Sequence, residues 1–347
     1  VYIAEVSTAS LRGFLGAGFQ VAVTVGILFA YVMGHLSYVW LALIGAMFPT
    51  LMIVLVVMMP ETPRYLLSVN RRNDAIRTVA WLRGPHIDPD DECCNIESNL
   101  DQQETMAWSE FLKPSIYRPL VISLLLMVFQ QFSGINAVMF YTQSIFEGAG
   151  FRNGAYAAVI VGAVQVVFTC VCAILMDKAG RKMLLILAGI GMTVSAGTFG
   201  LYYQLKTPSG NDLSGLSLSS MIVYIISFSL GWGAIPWLIM SEIFPSRARG
   251  AASGIATLVN WTCAFIVTLT FSDMMDSLTE QGTFWFFGGV CFVATLFVVI
   301  FVPETKGRTL EEIEARFGSR SPIVKSIVSE RHPLQDSDVE DEETGKE

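Results

Sequence analysis

Apolar residues run along this chain in blocks of about 20, each closed by a turn rich in charge, glycine or proline. A helix needs about 20 apolar residues to cross a hydrocarbon layer of about 30 Å, whereas a buried strand ends after about four to eight. Eight blocks of helical length are present, at 14–33, 38–59, 118–142, 155–176, 183–203, 219–240, 251–271 and 283–301. The pattern predicts an all-α, multi-pass membrane protein. Residues 65–117 break the series: they are polar, with two amphipathic helical pieces expected at 73–82 and 92–111, parted by Gly84-Pro85-His86-Ile87-Asp88-Pro89.

Composition supports the membrane reading. Of 347 residues, 53% are hydrophobic and 15% charged, where an average soluble domain carries about 25% charge. The net charge of -8 owes much to the acidic stretch 336–347, which reads as a solvated tail. If Arg12, the 65–117 insert with its flanks, the 177–182 and 241–250 turns and the tail share one side, that side holds all of the 22 Lys and Arg residues except Arg152 and Lys206. Such an asymmetry assigns it to the cytosol. Six cysteines form no metal-ligand grouping with histidines; Cys170, Cys172, Cys263 and Cys291 read as small buried hydrophobes, and Cys93 and Cys94 as free thiols in a polar loop.

Two motifs recur. Glu5 stands seven residues before Arg12-Gly13, as Glu242 does before Arg249-Gly250, and Pro60-Glu61-Thr62-Pro63-Arg64 is echoed by Pro303-Glu304-Thr305-Lys306-Gly307-Arg308. The second half has four blocks ahead of its Glu242 turn and the first has none. The repeat therefore predicts that roughly 120 residues, four helices, precede Val1 in the parent protein.

One block carries more polar side chains than a lipid-facing helix tolerates. Gln130, Gln131, Ser133, Asn136, Tyr141, Thr142 and Gln143 all lie within 121–146, and polar groups there turn to a partner helix or a watery cavity. At about 100° per residue, Asn136 stands about 140° round from Gln131 and Gln130 about 100° the other way. A bend at Gly134 would bring both sides to one cavity. Three uncharged amides that donate and accept suit a neutral polyhydroxylated solute. Interhelical glue explains the same residues equally well.

In their joint order, several motifs resemble a sugar porter of the major facilitator superfamily, within the facilitative glucose transporter family. They are Tyr2 with Glu5, Leu11-Arg12-Gly13, the Pro60–Arg64 motif, Gln130-Gln131-Phe132-Ser133-Gly134-Ile135-Asn136, Asp177-Lys178-Ala179-Gly180-Arg181-Lys182, Gly231-Trp232-Gly233, Pro236-Trp237 and the Pro303–Arg308 motif. The resemblance covers residues 1 to about 320 and implies twelve helices in two halves around a central sugar site, with alternating access. On that template 1–64 is the end of a fourth helix plus helices five and six, 65–117 a cytosolic helical insert, 118–302 the six-helix second half and 303–347 a cytosolic tail.

By motif, Gln20, Gln130, Gln131, Asn136, Trp237, Asn260 and Trp261 resemble the hexose-contacting set, the amides bonding hydroxyls and the indoles offering flat apolar surface. Packing between helices is the competing reading for both tryptophans. Gln165 joins this set as a departure, since many plasma-membrane glucose transporters have asparagine there. With Gly231-Trp232-Gly233 it resembles the subgroup held in intracellular or lysosomal membranes. Ala234 replaces a common proline, while Pro236 remains to interrupt the helix. Glu5 with Arg12, Asp177 with Arg181 and Glu242 with Arg249 are expected to cross between cytosolic helix ends and form a gate. Plain positive-inside flanking would explain the arginines alone.

The resulting expectation is facilitative transport of a hexose through a plasma or intracellular membrane. A proton-coupled sugar symporter and a non-transporting sugar sensor on the same scaffold are the alternatives. No nucleophile with its base, metal cluster, cofactor motif or nucleic-acid-binding pattern is present, so the sequence predicts no enzyme; membrane lipid and the sugar are the expected partners.

Overall fold

The computed structural model describes Tyr2, Val6 and residues 12–84, 88–101, 111–148, 153–205, 214–244 and 246–306. Glu5 and the tail beyond Lys306 lie outside these residues, as do the side chains of Arg12 and Asp177. The described elements are helical: α1 (Arg12–Met33), α2 (Tyr38–Met58), α3 (Pro63–Ser68), α4 (Arg72–Arg83), α5 (Pro89–Asp101), α6 (Pro114–Phe132), α7 (Ile135–Gly148), α8 (Gly154–Ala179), α9 (Arg181–Leu205), α10 (Ser214–Ser227), a π-helical turn at Phe228–Trp232, α11 (Ile235–Ile243), α12 (Ser246–Ser277) and α13 (Thr279–Phe301). Seven stretches are long and apolar enough to cross a membrane; the first expected block shows a shorter apolar stretch, Gly18–Met33.

Two expected blocks are interrupted helices. The block at 118–142 is α6 and α7, broken at Ser133-Gly134, and that at 219–240 is α10, the π turn and α11. The block at 251–271 belongs to the longer, unbroken α12.

Residues of α6 through α13 share one hydrophobic core, with Leu126, Phe146, Leu185, Phe199, Trp232 and Phe287 nearly or fully buried. Close approach within it depends on small residues in α9: a Cβ at Gly189 would run into Thr295 of α13, and one at Gly191 into Ser227 of α10. Helix α1 lies along α8 and adds Ile27 and Tyr31 to the core edge. Helix α2 has no buried residue, although Phe48 meets Phe29 of α1 edge-on at 5.4 Å.

The polar insert has a small core of its own, made by Leu66, Leu67, Ala75, Val79 and Cys93. Its second amphipathic helix starts at Pro89, three residues earlier than expected. Asp88 Oδ1 accepts from Asp90 N at 2.9 Å, proline fits a first turn that needs no N–H, and Asp90, Asp91 and Glu92 complement the helix dipole. Cys93 and Cys94 therefore sit on a helix instead of a loop, with Cys93 buried and Cys94 exposed.

Candidate functional site

The interruption after α6 brings the expected amides together. Gly134 has φ +89°, in the left-handed region that favours glycine, and a Cβ there would sit 2.5 Å from Phe287 Cδ2. Ser133 N and Gly134 N close the last turn of α6 on Phe129 O and Gln131 O, both at 3.0 Å, while Tyr224 Oη donates to Ser133 O at 2.8 Å. Asn136 thus restarts the chain beside the end of α6, and the phase difference that a straight helix imposes is removed.

Four side-chain amides meet there. Asn136 Nδ2 donates to Gln131 Oε1 at 2.7 Å, Gln131 Nε2 to Asn260 Oδ1 at 3.1 Å, and Asn260 Nδ2 to Gln130 Oε1 at 2.7 Å. Gln130 Nε2 ends the series on Trp232 O at 2.6 Å, with Gly233 O at 3.3 Å. Gln130, Gln131 and Asn260 are buried and Asn136 is half-buried, so the series opens toward solvent at Asn136.

The other expected sugar contacts stand apart. Gln165 is buried on α8, and its Oε1 takes no hydrogen bond among the described residues. Gln20 is half-buried on α1. Trp237 packs against the cluster of Met127, Met240, Phe244, Ala252 and Ala256. Trp261 follows Asn260 in sequence but points about 100° round α12, where it is 62% exposed.

At the charged helix ends, Arg181 Nη2 pairs with Glu242 Oε1 at 3.2 Å and Arg181 Nη1 donates to Met176 O at the same distance. The acid that Arg181 meets therefore comes from the 241–250 turn. Arg249 Nη2 donates to Phe244 O at 3.2 Å. Glu304 was legible only as part of a motif, and the structure makes it central. Its carboxylate accepts from Arg181 N at 3.0 Å and Lys182 N at 3.1 Å, capping α9, and from Thr305 N and Lys306 N at 3.0 Å each. Gly180 admits it, because a Cβ there would lie 2.8 Å from Glu304 Oε2. Burial alone would raise the Glu304 carboxyl, but these main-chain amides hold it below the usual carboxylate range. The recurrence of Pro-Glu-Thr at Pro60 and Pro303 was the signal that could have found it.

Residues 1–317 match the family described as Sugar (and other) transporter. The chain belongs to this family. The transporter is 43% identical over 340 residues to solute carrier family 2, facilitated glucose transporter member 8 of Mus musculus, covering 92% of this chain and 70% of that protein. It is 41% identical over 338 residues to the facilitated trehalose transporter Tret1 of Drosophila pseudoobscura pseudoobscura, covering 95% of this chain and 39% of that one. Among solved structures, the inward-open xylose transporter XylE from E. coli superposes with a TM-score of 0.74 at 29% identity, over 91% of this chain and 68% of that one. The proton:xylose symporter XylE bound to 6-bromo-6-deoxy-D-glucose gives 0.72 at 28%, over 91% and 69%. The transporter thus has the major facilitator fold and is an integral, multi-pass membrane protein.

Proposed function

We propose that this chain carries out facilitative transport of a neutral hexose by alternating access, with the amides of α6, α7 and α12 at the sugar site. The observation that carries this reading is a series of uncharged, mutually bonded amides deep in the spans, buried except at the half-buried Asn136, with no Asp, Glu, Lys or Arg within the described parts of 121–145 or 250–272. Each amide–amide bond can be exchanged one for one with a hydroxyl, without moving a charge into the membrane. Gln20, Gln165, Trp237 and Trp261 complete the proposed sugar set. The relatives named for glucose and trehalose transport support the substrate class.

Arg181, Glu242, Arg249 and Glu304, with Glu5, Arg12 and Asp177, form the proposed gate at the charged ends. The core shared by α6 to α13 and the separate core of the insert support the division into 118–302 and 65–117. Proton-coupled symport is the second reading, because XylE is described as a proton:xylose symporter. Flux of glucose and trehalose into liposomes carrying the purified protein tests both. Saturable hexose uptake that no pH gradient drives supports facilitative transport; uptake accompanied by acidification of the vesicle lumen replaces it with symport; binding without countertransport leaves the sensor.

A further inference from the structure

The amide series has a direction, and its origin is a proline. Pro236 has no N–H, so the carbonyl four residues earlier, Trp232 O, loses its usual helical donor. The π turn adds to the disruption: Gly233 N bonds back to Phe228 O at 2.8 Å, five residues earlier instead of four. Trp232 is 2% exposed, and a buried carbonyl without a donor is costly. Gln130 Nε2 supplies that donor to both oxygens.

A main-chain carbonyl can only accept, so it dictates everything that follows. Gln130 must turn its NH2 toward Trp232 O, which leaves Oε1 to face Asn260 Nδ2. Asn260 Oδ1 must then meet the NH2 of Gln131, and Gln131 Oε1 the NH2 of Asn136. No amide can flip alone without setting two acceptors or two donors against each other. At the open end the polarity leaves Asn136 Oδ1 as an acceptor with no partner among the described residues.

We propose that Gln130 latches onto the carbonyl freed by Pro236 and so fixes which hydroxyls of the sugar must donate and which must accept. The latch also ties the interruption after α6 to that before α11. The hydroxyl that meets Asn136 Oδ1 is a donor, and one that meets the remaining N–H of Gln131 is an acceptor. The statement about hydroxyls rests on the sugar-site reading; the latch does not.

Two measurements on the purified full chain test it. The first is a thermal double-mutant cycle with Gln130→Met, Pro236→Ala and both together. In the alanine background residue 236 regains an N–H for Trp232 O, so Gln130→Met is expected to shift the unfolding equilibrium at least about fivefold less than in the parent. Additive effects overturn the latch. The second uses only Pro236→Ala and needs no loss of the amide: affinities are measured for a hexose series in which each hydroxyl is replaced in turn by fluorine, which accepts but cannot donate. The parent is expected to show a gap of about tenfold between tolerant and intolerant positions, and Pro236→Ala to narrow it to about threefold or less. A bend without polarity would weaken all analogues together, and an unchanged gap overturns the claim that Pro236 sets donor order. If the parent binds no hexose, the sugar-site reading fails, while the thermal cycle still decides the latch.

Discussion

In the middle of the spans Gln130, Gln131, Asn136 and Asn260 satisfy one another with uncharged amides; at the charged ends Arg181, Glu242 and Glu304 do so with full charges and main-chain N–H groups. The difference follows from what each cluster faces when it opens. A group in the hydrocarbon-flanked middle that loses its partner meets lipid-buried protein, where a bare charge is costly and a bare amide much less so. A hydroxylated solute can take over each amide bond in kind. At the ends, Arg181 and Glu242 remain 13% and 21% exposed, so water can solvate both halves when the pair parts. Neutral bonds thus suit exchange with a sugar, and ion pairs suit a link that breaks and reforms with each cycle.

The largest effect that would break this contrast is expected at Gln131. Replacing Gln131 with Leu should lower hexose affinity by roughly 10- to 100-fold, because a hydroxyl facing a methyl group surrenders water without a replacement. It should also lower the melting temperature, since the structure bonds Gln131 to both Asn260 and Asn136. Tracer binding and thermal unfolding on the same preparation check both; a lowered melting temperature with unchanged affinity would make the amide cluster structural only.

Arg181→Ala should next cost about 2 kcal/mol of stability, because it strands a Glu242 carboxylate whose Oε2 already lacks a partner among the described residues. Flux should fall while hexose affinity stays within about twofold. Parallel losses of flux and affinity would erase the distinction between gate and site.

Glu304 sharpens the charged side through pH. Its carboxyl is lowered in the folded state, so its contribution is present above the ordinary carboxylate range and is lost as pH falls through the lowered folded value. The gap in melting temperature between the parent and Glu304→Gln should stay constant from about pH 8 to 5 and close below about pH 4. A gap that changes between about pH 5 and 8 would show that another group titrates with the cap.

The smallest effect is expected at Gln165. Its Oε1 has no hydrogen-bond partner among the described residues, so Gln165→Leu should leave stability unchanged or raise it by up to about 1 kcal/mol. Hexose affinity should nevertheless fall by about threefold if that oxygen accepts from the sugar. A clear drop in stability would place Gln165 among the structural amides.

Much of this was legible residue by residue. The block lengths announced membrane helices, because a helix that crosses lipid must satisfy its own backbone and so writes its span directly into the local sequence. Gly134 and Pro236 announced interruptions for the same local reason. Pairing was not legible. Nothing near Arg181 in the chain points to Glu242, 61 residues away; the two meet because the ends of α9 and α11 lie side by side. Glu304 read as a motif letter until the turn at Gly180 brought the start of α9 within its reach.

The sequence by itself determined the fold class, the seven stretches long enough to cross a membrane and the amide content of the candidate site, since length, hydropathy and amide content are properties of single residues and their neighbours. Only the tertiary structure decided that Gln130 and Gln131, adjacent in the chain, do different things. One is held by the carbonyl that Pro236 frees about a hundred residues later and the other bridges Asn260 and Asn136. A hydrogen bond between side chains on separate helices depends on how those helices pack. No local pattern encodes that, and the direction of the whole amide series depends on it.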